Sequence, residues 1–424
     1  MSGRRIAVIG AGPVGLETAL EGTRRGHEVT VYEAGRVGEH LRRFAWVRLF
    51  TPFGMNASAA GRSRVRENGG VLPSDEAIVT AGELVDRYVE PLARLPELDG
   101  RVRERTRVDA IGREGLSKGK GIVAAGDRGR VGRPFLLRVL EGGGRERFER
   151  ADAVVDASGI YDTPHTTGPG GLPAIGEESL GGLIERHLSE IRGAARERFA
   201  GRRVLLVGNG HSAATALLDL RALADEGTAA RVTWVHRAPA SGPDPNPFPT
   251  VAADTLPERR SLADRANAIA REAPWLSRRP GAVIESYETP GDGTRVTLRD
   301  EDGGVSTVHV DHVLALTGYR PDTSLARELQ IHLCYASEAP MALATALLSE
   351  TLSAAPGASA DCLSQRSHGA ETLRTPEPGY FILGAKSYGR GSNFILPVGQ
   401  KQVEEVMELL DAERTPSAAE IAVP

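Results

Sequence analysis

The stretch Arg5-Ile6-Ala7-Val8-Ile9-Gly10-Ala11-Gly12-Pro13-Val14-Gly15 and the later stretch Arg203-Val204-Leu205-Leu206-Val207-Gly208-Asn209-Gly210-His211-Ser212-Ala213 share one pattern. An apolar run enters glycines at fixed offsets, G-x-G-x-x-G in the first and G-x-G-x-x-A in the second. Residues 5–9, with their β-branched Ile and Val, predict a buried parallel strand. Gly10 permits the tight turn, Gly12 lets the backbone approach a pyrophosphate, and Gly15 lets the following helix pack close to the strand. Val14, Leu16, Ala19 and Leu20 mark that helix, whose N-terminus directs partial positive charge at phosphates. A second strand, His27–Tyr32, ends in Glu33, an acid about 20 residues past the glycines that can accept hydrogen bonds from a ribose 2′-OH. Glycine spacing alone is weak evidence; strand, turn, helix and acid in this order define a dinucleotide-binding βαβ unit.

The second unit differs in two ways. Ala213 stands at the third glycine, a common variant. Its second strand, Arg231–Val235, runs into His236 and Arg237, with His236 on the position of Glu33. A carboxylate repels a 2′-phosphate, whereas Arg237 can pair with one, so NADPH is expected there in preference to NADH. The plainer alternative is an arginine solvated at a strand end. Two such units imply two dinucleotides, most simply a flavoprotein that takes a hydride from a nicotinamide.

Composition bounds the rest. The 424 residues predict two or three domains. The chain carries 48 Arg and 4 Lys, yet 56 Asp plus Glu leave a net charge of −4. A nucleic-acid partner is therefore not expected, and the arginine bias reads as coding composition. No apolar run approaches the ~18 residues of a membrane helix. The first apolar residues belong to a strand and not to a secretory leader. Cys334 and Cys362 suit a reduced compartment, so a cytoplasmic, membrane-free protein is expected.

Breaks in composition place a first segment at 1–165, an inserted unit at 166–310, a return at 311–412 and a disordered tail at 413–424. The first segment includes a helical stretch at Ala81–Leu92 and a strand at Phe135–Leu140, and closes on Ala153-Val154-Val155-Asp156-Ala157-Ser158-Gly159. A Pro-rich stretch, Ala238–Thr250, and a charged helical segment, Pro257–Ala273, follow the second unit's strands and suggest a lid or surface loop. Asp311–Asp322 repeats the first segment's ending as Thr317-Gly318, so both endings read as crossover strands.

These features resemble the two-dinucleotide-binding-domain flavoproteins, the superfamily of flavin-containing monooxygenases, N-hydroxylases and pyridine nucleotide-disulfide reductases. The likeness extends to Gly379-Tyr380-Phe381-Ile382-Leu383-Gly384 and spans nearly the whole chain. It implies an α/β fold with two Rossmann-like domains, the NADPH domain inserted into the FAD domain. It also implies FAD on Gly10, Gly12, Pro13, Val14, Gly15, Glu33, Trp46, Val108, Ser158 and Gly159, and under a returning segment with Gly384, Ala385, Ser387, Asn393, Phe394 and Ile395. The helix with Gln400 and Val403 is expected to point its N-terminus at the flavin's N1–C2=O side. NADPH is implied on Gly208, Gly210, His211, Ser212, Ala213, His236 and Arg237, with Thr317 and Gly318 at the second strand end.

Disulfide reductases of this superfamily carry a close cysteine pair, whereas Cys334 and Cys362 stand 28 residues apart. The F-x-G-x-x-x-H-x-x-x-W/F pattern of Baeyer–Villiger and many flavin monooxygenases is incomplete in Leu180–Leu188, although Gly182 and His187 are present. These departures leave N-hydroxylase-like or unclassified relatives. The resemblance implies first an FAD- and NADPH-dependent monooxygenase working through a C4a-(hydro)peroxyflavin on a nitrogen, sulfur or other small-molecule centre, with O2 as cosubstrate and no metal. Arg48 and Asn56, in the aromatic stretch Phe44–Asn56, and Lys386 are the catalytic candidates; Lys386 is expected to stabilise an anionic flavin or a peroxyflavin, the plainer alternative being a solvated lysine in a glycine-rich loop. A reductase or dehydrogenase on the same scaffold, and a non-catalytic dinucleotide sensor, are the alternatives. Ala336–Leu363 reads as helical core packing, or as a pocket wall or homodimer face.

Overall fold

The computed structural model describes residues 3–120, 129–237, 246–251, 254–291, 293–353, 363 and 365–413. Cys362, residues 238–245 and the tail beyond 413 lie outside the described residues. The chain divides into one unit of Met1–Asp162 with Arg320–Pro424 and a second of Thr163–Tyr319.

The first unit runs β1 (Arg5–Ile9), α1 (Pro13–Arg24), β2 (Glu28–Tyr32), β3 (Val102–Arg103), β4 (Thr106–Arg113), β5 (Phe135–Glu141), β6 (Glu146–Ala151) and β7 (Ala153–Asp156). The second holds β8 (Ile184–Glu185), β9 (Arg203–Val207), α2 (His211–Asp225), β10 (Arg231–His236), α3 (Pro257–Glu272), β11 (Leu276–Pro280), β12 (Val283–Glu288), β13 (Thr294–Arg299), β14 (Val305–Val310) and β15 (His312–Ala315). The first unit is then completed by α4 (Met341–Ser353), β16 (Tyr380–Ile382) and α5 (Leu396–Ala412).

Each unit pairs one parallel sheet with one antiparallel meander. The first has the parallel order β16-β7-β1-β2-β3 beside β4-β5-β6, and the second has β11-β10-β9-β15-β8 beside β12-β13-β14. The expected return at 311 falls too early. Strand β15 pairs with β9 from His312↔Val204 to Ala315↔Val207, so it completes the second unit's sheet and the chain leaves that unit after Tyr319.

Because the central parallel strands β1, β7, β9 and β15 are covered on both faces, they read as apolar runs. In the first unit Ile6, Val8, Val29 and Val31 face α1 and α5, while Ala7, Ile9 and Tyr32 face the meander through Val108, Phe135 and Leu137. The Ala81–Leu92 stretch is helical with a π segment at Val85–Val89. Helix α4 departs from the core-packing expectation: Leu343 and Ala344 are buried, but Met341, Leu348 and Leu352 are exposed. A helix this apolar reads as interior because hydropathy does not register how little of its circumference is covered.

Arginines 113 and 130 converge on Glu377 just before β16, at 2.7 and 2.8 Å, and Gln330 N donates to the same carboxylate at 2.8 Å. Burial pushes the Glu377 carboxyl up, but these donors outweigh it and hold it below its ordinary range. Glu377→Leu leaves two buried guanidiniums without their acid and should destabilise the protein by about 3–5 kcal/mol in urea unfolding. Arg5→Ala, which removes a half-exposed partner of Asp152, should cost under about 1 kcal/mol.

Candidate dinucleotide sites

Both glycine motifs sit at the carboxyl ends of their first strands, where the turn touches the crossover strand. At Gly10, φ is +100° and a Cβ would lie 2.7 Å from Ala157 O; at Gly208, φ is +112° and a Cβ would lie 2.3 Å from Leu316 O. A side chain fits neither turn. At Gly15 a Cβ would lie 2.0 Å from Gly10 O, so that glycine serves helix-to-turn packing. Gly12 and Gly210 are different: a Cβ at either meets nothing within 4 Å. Protein packing does not require glycine at these two positions, and the free space in front of them suits a ligand.

Gly12 and Gly210 are the N-caps of α1 and α2, in extended conformation. No side chain caps either helix, and neither first turn contains an acid. Uncapped N–H groups and the helix dipole then face outward as an anion cradle. Pro13, with no N–H, occupies the first turn of α1, and Val14 packs there under Gly384. His211 and Ser212 stand on the first turn of α2, and Ala213 is buried in the strand–helix contact.

Glu33 closes the first cradle. Its carboxylate accepts from Ala11 N at 2.8 Å and from Gly35 N at 2.7 Å, so it is fixed with lone pairs left for a diol. Beside it is a cavity of about 250 Å³ lined by Glu33, Arg36, Arg43, Arg105, Arg107 and Asp162. The Asp162 carboxyl lies well below its ordinary range because His40 and then Arg43 bond to it, at 3.1 and 2.6 Å. Arg105 adopts a left-handed backbone, φ +50°, unusual outside glycine. Its backbone N bonds Gly35 O at 2.8 Å, which ties the strained turn to the Glu33 loop. Sequence reasoning missed Arg105, since backbone sign is not written in a residue name.

In the second unit His236 is buried and lies 4.6 Å from the Trp234 ring, while Arg237 is exposed. Trp234 donates to Gly208 O at 2.7 Å and stacks on Phe248 at 5.0 Å, which braces the glycine turn from below. A further cation was missed. Arg278 on β11, in register with Trp234, holds its guanidinium 5.5 Å from the indole ring. Its Nε is buried without a hydrogen-bond partner, and burial alone holds its pKa below the ordinary value. Thr317 Oγ1 donates to His165 O at 2.8 Å, and Gly318 takes φ +83°, matching Gly159 at +74° in the first unit. A cavity of about 760 Å³ beside Arg231, Trp275 and His309 opens at the amino ends of β10 and β11, away from the glycines.

The catalytic candidates are held differently from expectation. Asn56 is committed to its own turn: Nδ2 donates to Thr51 O at 3.0 Å and Pro52 O at 3.2 Å, and Oδ1 accepts from Thr51 Oγ1 at 2.7 Å. That leaves it a turn-forming residue. The turn is anchored by buried Glu17, which receives Ser58 Oγ at 2.7 Å and the Tyr88 hydroxyl. Arg48 is exposed on the segment bridged to Thr80. Trp46 is half-buried, with an indole N–H that has no partner. The Val108 side chain belongs to the meander core. Lys386 is fully buried against Asp156 at 2.7 Å and Ser158 Oγ at 2.9 Å, neither solvated nor a lone cation.

The returning segment is tied together by Gln402, which sequence reasoning passed over. Gly384 N donates to Gln402 Oε1 at 3.0 Å, and Gln402 Nε2 donates to Ser387 Oγ at 2.9 Å. Ala385 lies in the same turn, and Gly384 itself takes φ +72°. Phe394 packs edge-on to Tyr388 at 5.6 Å, Asn393 precedes it, and Ile395 is the N-cap of α5. Among the described residues no three His, Cys, Asp or Glu side chains could hold a metal ion, and no helix is long and apolar enough to cross a membrane.

The chain has the fold of the two-dinucleotide-binding-domain flavoproteins, with both glycine cradles in place. No protein-family model matches it, and no curated protein matches it in sequence. Solved structures do. Bacillithiol disulfide reductase from Bacillus cereus superposes at TM-score 0.69 with 17% identity, covering 97% of this chain and 100% of that one. The FAD-bound cadaverine monooxygenase of desferrioxamine biosynthesis from Erwinia amylovora gives 0.64 with 13% identity over 97% and 95%. Ornithine hydroxylase from Pseudomonas aeruginosa gives 0.60 with 15% identity over 96% and 98%.

The two kinds of motif glycine should separate experimentally. Gly15→Ala forces a backbone clash and should cost about 1–3 kcal/mol or more in stability. Gly12→Ala and Gly210→Ala, each adding a methyl to free space, should cost under about 1 kcal/mol. Thermal unfolding of the ligand-free proteins checks the ordering.

Proposed function

We propose that this protein is an FAD-dependent, NADPH-consuming oxidoreductase that oxygenates a nucleophilic nitrogen, sulfur or similar centre of a small molecule with O2. The observation that carries this reading is the pair of free spaces before Gly12 and Gly210, each at the uncapped N-terminus of a long helix. FAD supplies hydride acceptance and oxygen chemistry when bound. The first unit fits it through the α1 cradle for the pyrophosphate and Glu33 for the ribose diol. The second unit fits NADPH: His236 replaces the acid, and Arg237 with Arg278 supplies positive charge for a 2′-phosphate.

The absence of a close cysteine pair in the sequence favours oxygenation over dithiol chemistry. Reduction of an acceptor without oxygenation is the second reading, and the similarity in fold to bacillithiol disulfide reductase supports it.

The purified protein should be yellow, should bleach with NADPH under nitrogen, and should consume O2 on admission of air. Oxygen found in a product of an amine or thioether panel supports oxygenation. Turnover that needs an added disulfide or quinone and ignores O2 supports reduction, and a colourless protein that takes up no FAD defeats both. Gly12→Ala should abolish FAD uptake, whereas Gly210→Ala should leave FAD bound and raise KM for NADPH. Arg278→Ala should raise KM for NADPH by about tenfold to a hundredfold, with little change for NADH. Steady-state rates with the two nucleotides check this.

A further inference from the structure

Strands β1, β7 and β16 are parallel neighbours, so the segments beyond Ile9, Asp156 and Ile382 emerge on one side of the first unit's sheet. Ligands of doubly wound sheets bind at that edge. The edge carries a buried charge cluster. Lys386 and Asp156 side chains are each 1% exposed and meet at 2.7 Å. Asp156 also accepts from Tyr380 Oη at 3.1 Å, from Ser158 Oγ at 2.7 Å and from Ser158 N at 3.2 Å. Lys386 donates to Ser158 Oγ at 2.9 Å as well. The Ala157–Ser158 backbone directly follows Asp156, and it is the segment that a Cβ on Gly10 would strike, at 2.7 and 3.0 Å. The cluster therefore adjoins the phosphate turn.

The second unit provides an internal control. Asp152 and Asp311 occupy equivalent places, each binding the backbone N of the first strand's arginine, Arg5 at 2.9 Å and Arg203 at 2.8 Å. Counting forward from them, Ser158-Gly159 falls on Thr317-Gly318, and Asp156 falls on Ala315. Ala315 is fully buried in a strand end of the same architecture. The fold thus does not need an ion there, and buried ion pairs are seldom retained for stability alone. Asp322, an exposed acid, also feels Lys386: partial desolvation raises its carboxyl, but hydrogen bonds from Ser324, with Lys386 and Arg320, hold it below the ordinary range.

We infer that Lys386 and Asp156 form a charge-balancing pair of the first dinucleotide site. Asp156 holds the ammonium at the edge of the cradle, and Lys386 cancels the Asp156 carboxylate, so that acid does not stand uncompensated beside a pyrophosphate. Lys386 is then a positioning residue for the anionic half of the ligand. The inference rests on the first unit's binding FAD.

The test compares Lys386→Met, Asp156→Asn and the double variant in FAD titrations of deflavinated protein, followed by flavin fluorescence, with circular dichroism and thermal unfolding of the apoproteins alongside. Lys386→Met exposes an uncancelled carboxylate and should weaken FAD at least tenfold. Asp156→Asn leaves an uncancelled cation and should bind FAD at least as tightly as the wild type, even where apoprotein stability falls. The double variant should lie between them, and it supplies the reading if Lys386→Met alone fails to fold. A purely structural pair predicts instead that both single variants weaken FAD together. That result, or no change in either, overturns the inference. Failure of the wild-type protein to take up FAD defeats the functional proposal, which is a separate outcome.

Discussion

The constraint on which both units depend is the close approach of the glycine turn to the neighbouring crossover strand. Gly10 and Gly208 have positive φ and stand where a Cβ would press on Ala157 O and Leu316 O. This contact holds the carboxyl end of the first strand against the crossover strand, and each helix starts three residues on, at Pro13 and His211. The N-caps that follow are Gly12 and Gly210, where packing would accept a side chain, so the lack of a side-chain cap is a second feature, independent of the turn.

The two units repeat this plan closely, down to the arginine that opens each first strand and the aspartate that binds it before the crossover. Their differences carry the chemistry. Glu33, tethered by Ala11 N and Gly35 N, presents a fixed carboxylate. At the matching place the second unit buries His236, with Arg237 and Arg278 nearby. On the proposed reading one ending takes a neutral diol and the other a phosphate, since a fixed charge at one position discriminates between ligands that share every other contact.

Much of this was legible in the sequence, for definite reasons. The strands of parallel sheets are covered on both faces, so Arg5–Ile9 and Arg203–Val207 stand out as apolar runs, and the glycines mark their ends. The inserted arrangement followed from the two crossover endings, but the return to the first unit was placed too early. Strand β15 looks alike whether it closes one unit or opens the next, and only its pairing with β9 decides. Side-chain direction was the less legible part. Asn56 and Lys386 were marked by type and place, yet the first is spent on its own turn and the second on an acid more than two hundred residues away. Asp156, an acid ending an otherwise apolar strand, was the available signal for that partner, as Glu377 was for Arg113 and Arg130. Arg278 gave no such signal, because it shares its strand with an adjacent arginine in a chain full of them.

Strand β16 joins these observations. It has three residues, pairs among the described residues only with β7 and lies at the sheet edge, so its ladder alone specifies register weakly. Glu377, three residues before it, is locked between Arg113 and Arg130, and a one-residue slip would separate a buried acid from two buried cations. The amino end is therefore pinned by a cluster in which two buried cations share one buried acid. With register secured there, the Lys386–Asp156 pair at the carboxyl end is not needed for the same task, and the second unit's Ala315 shows that the architecture closes without it. A buried ion pair placed where the fold does not require one, beside a turn shaped for phosphates, is most economically understood through the charge of what binds there.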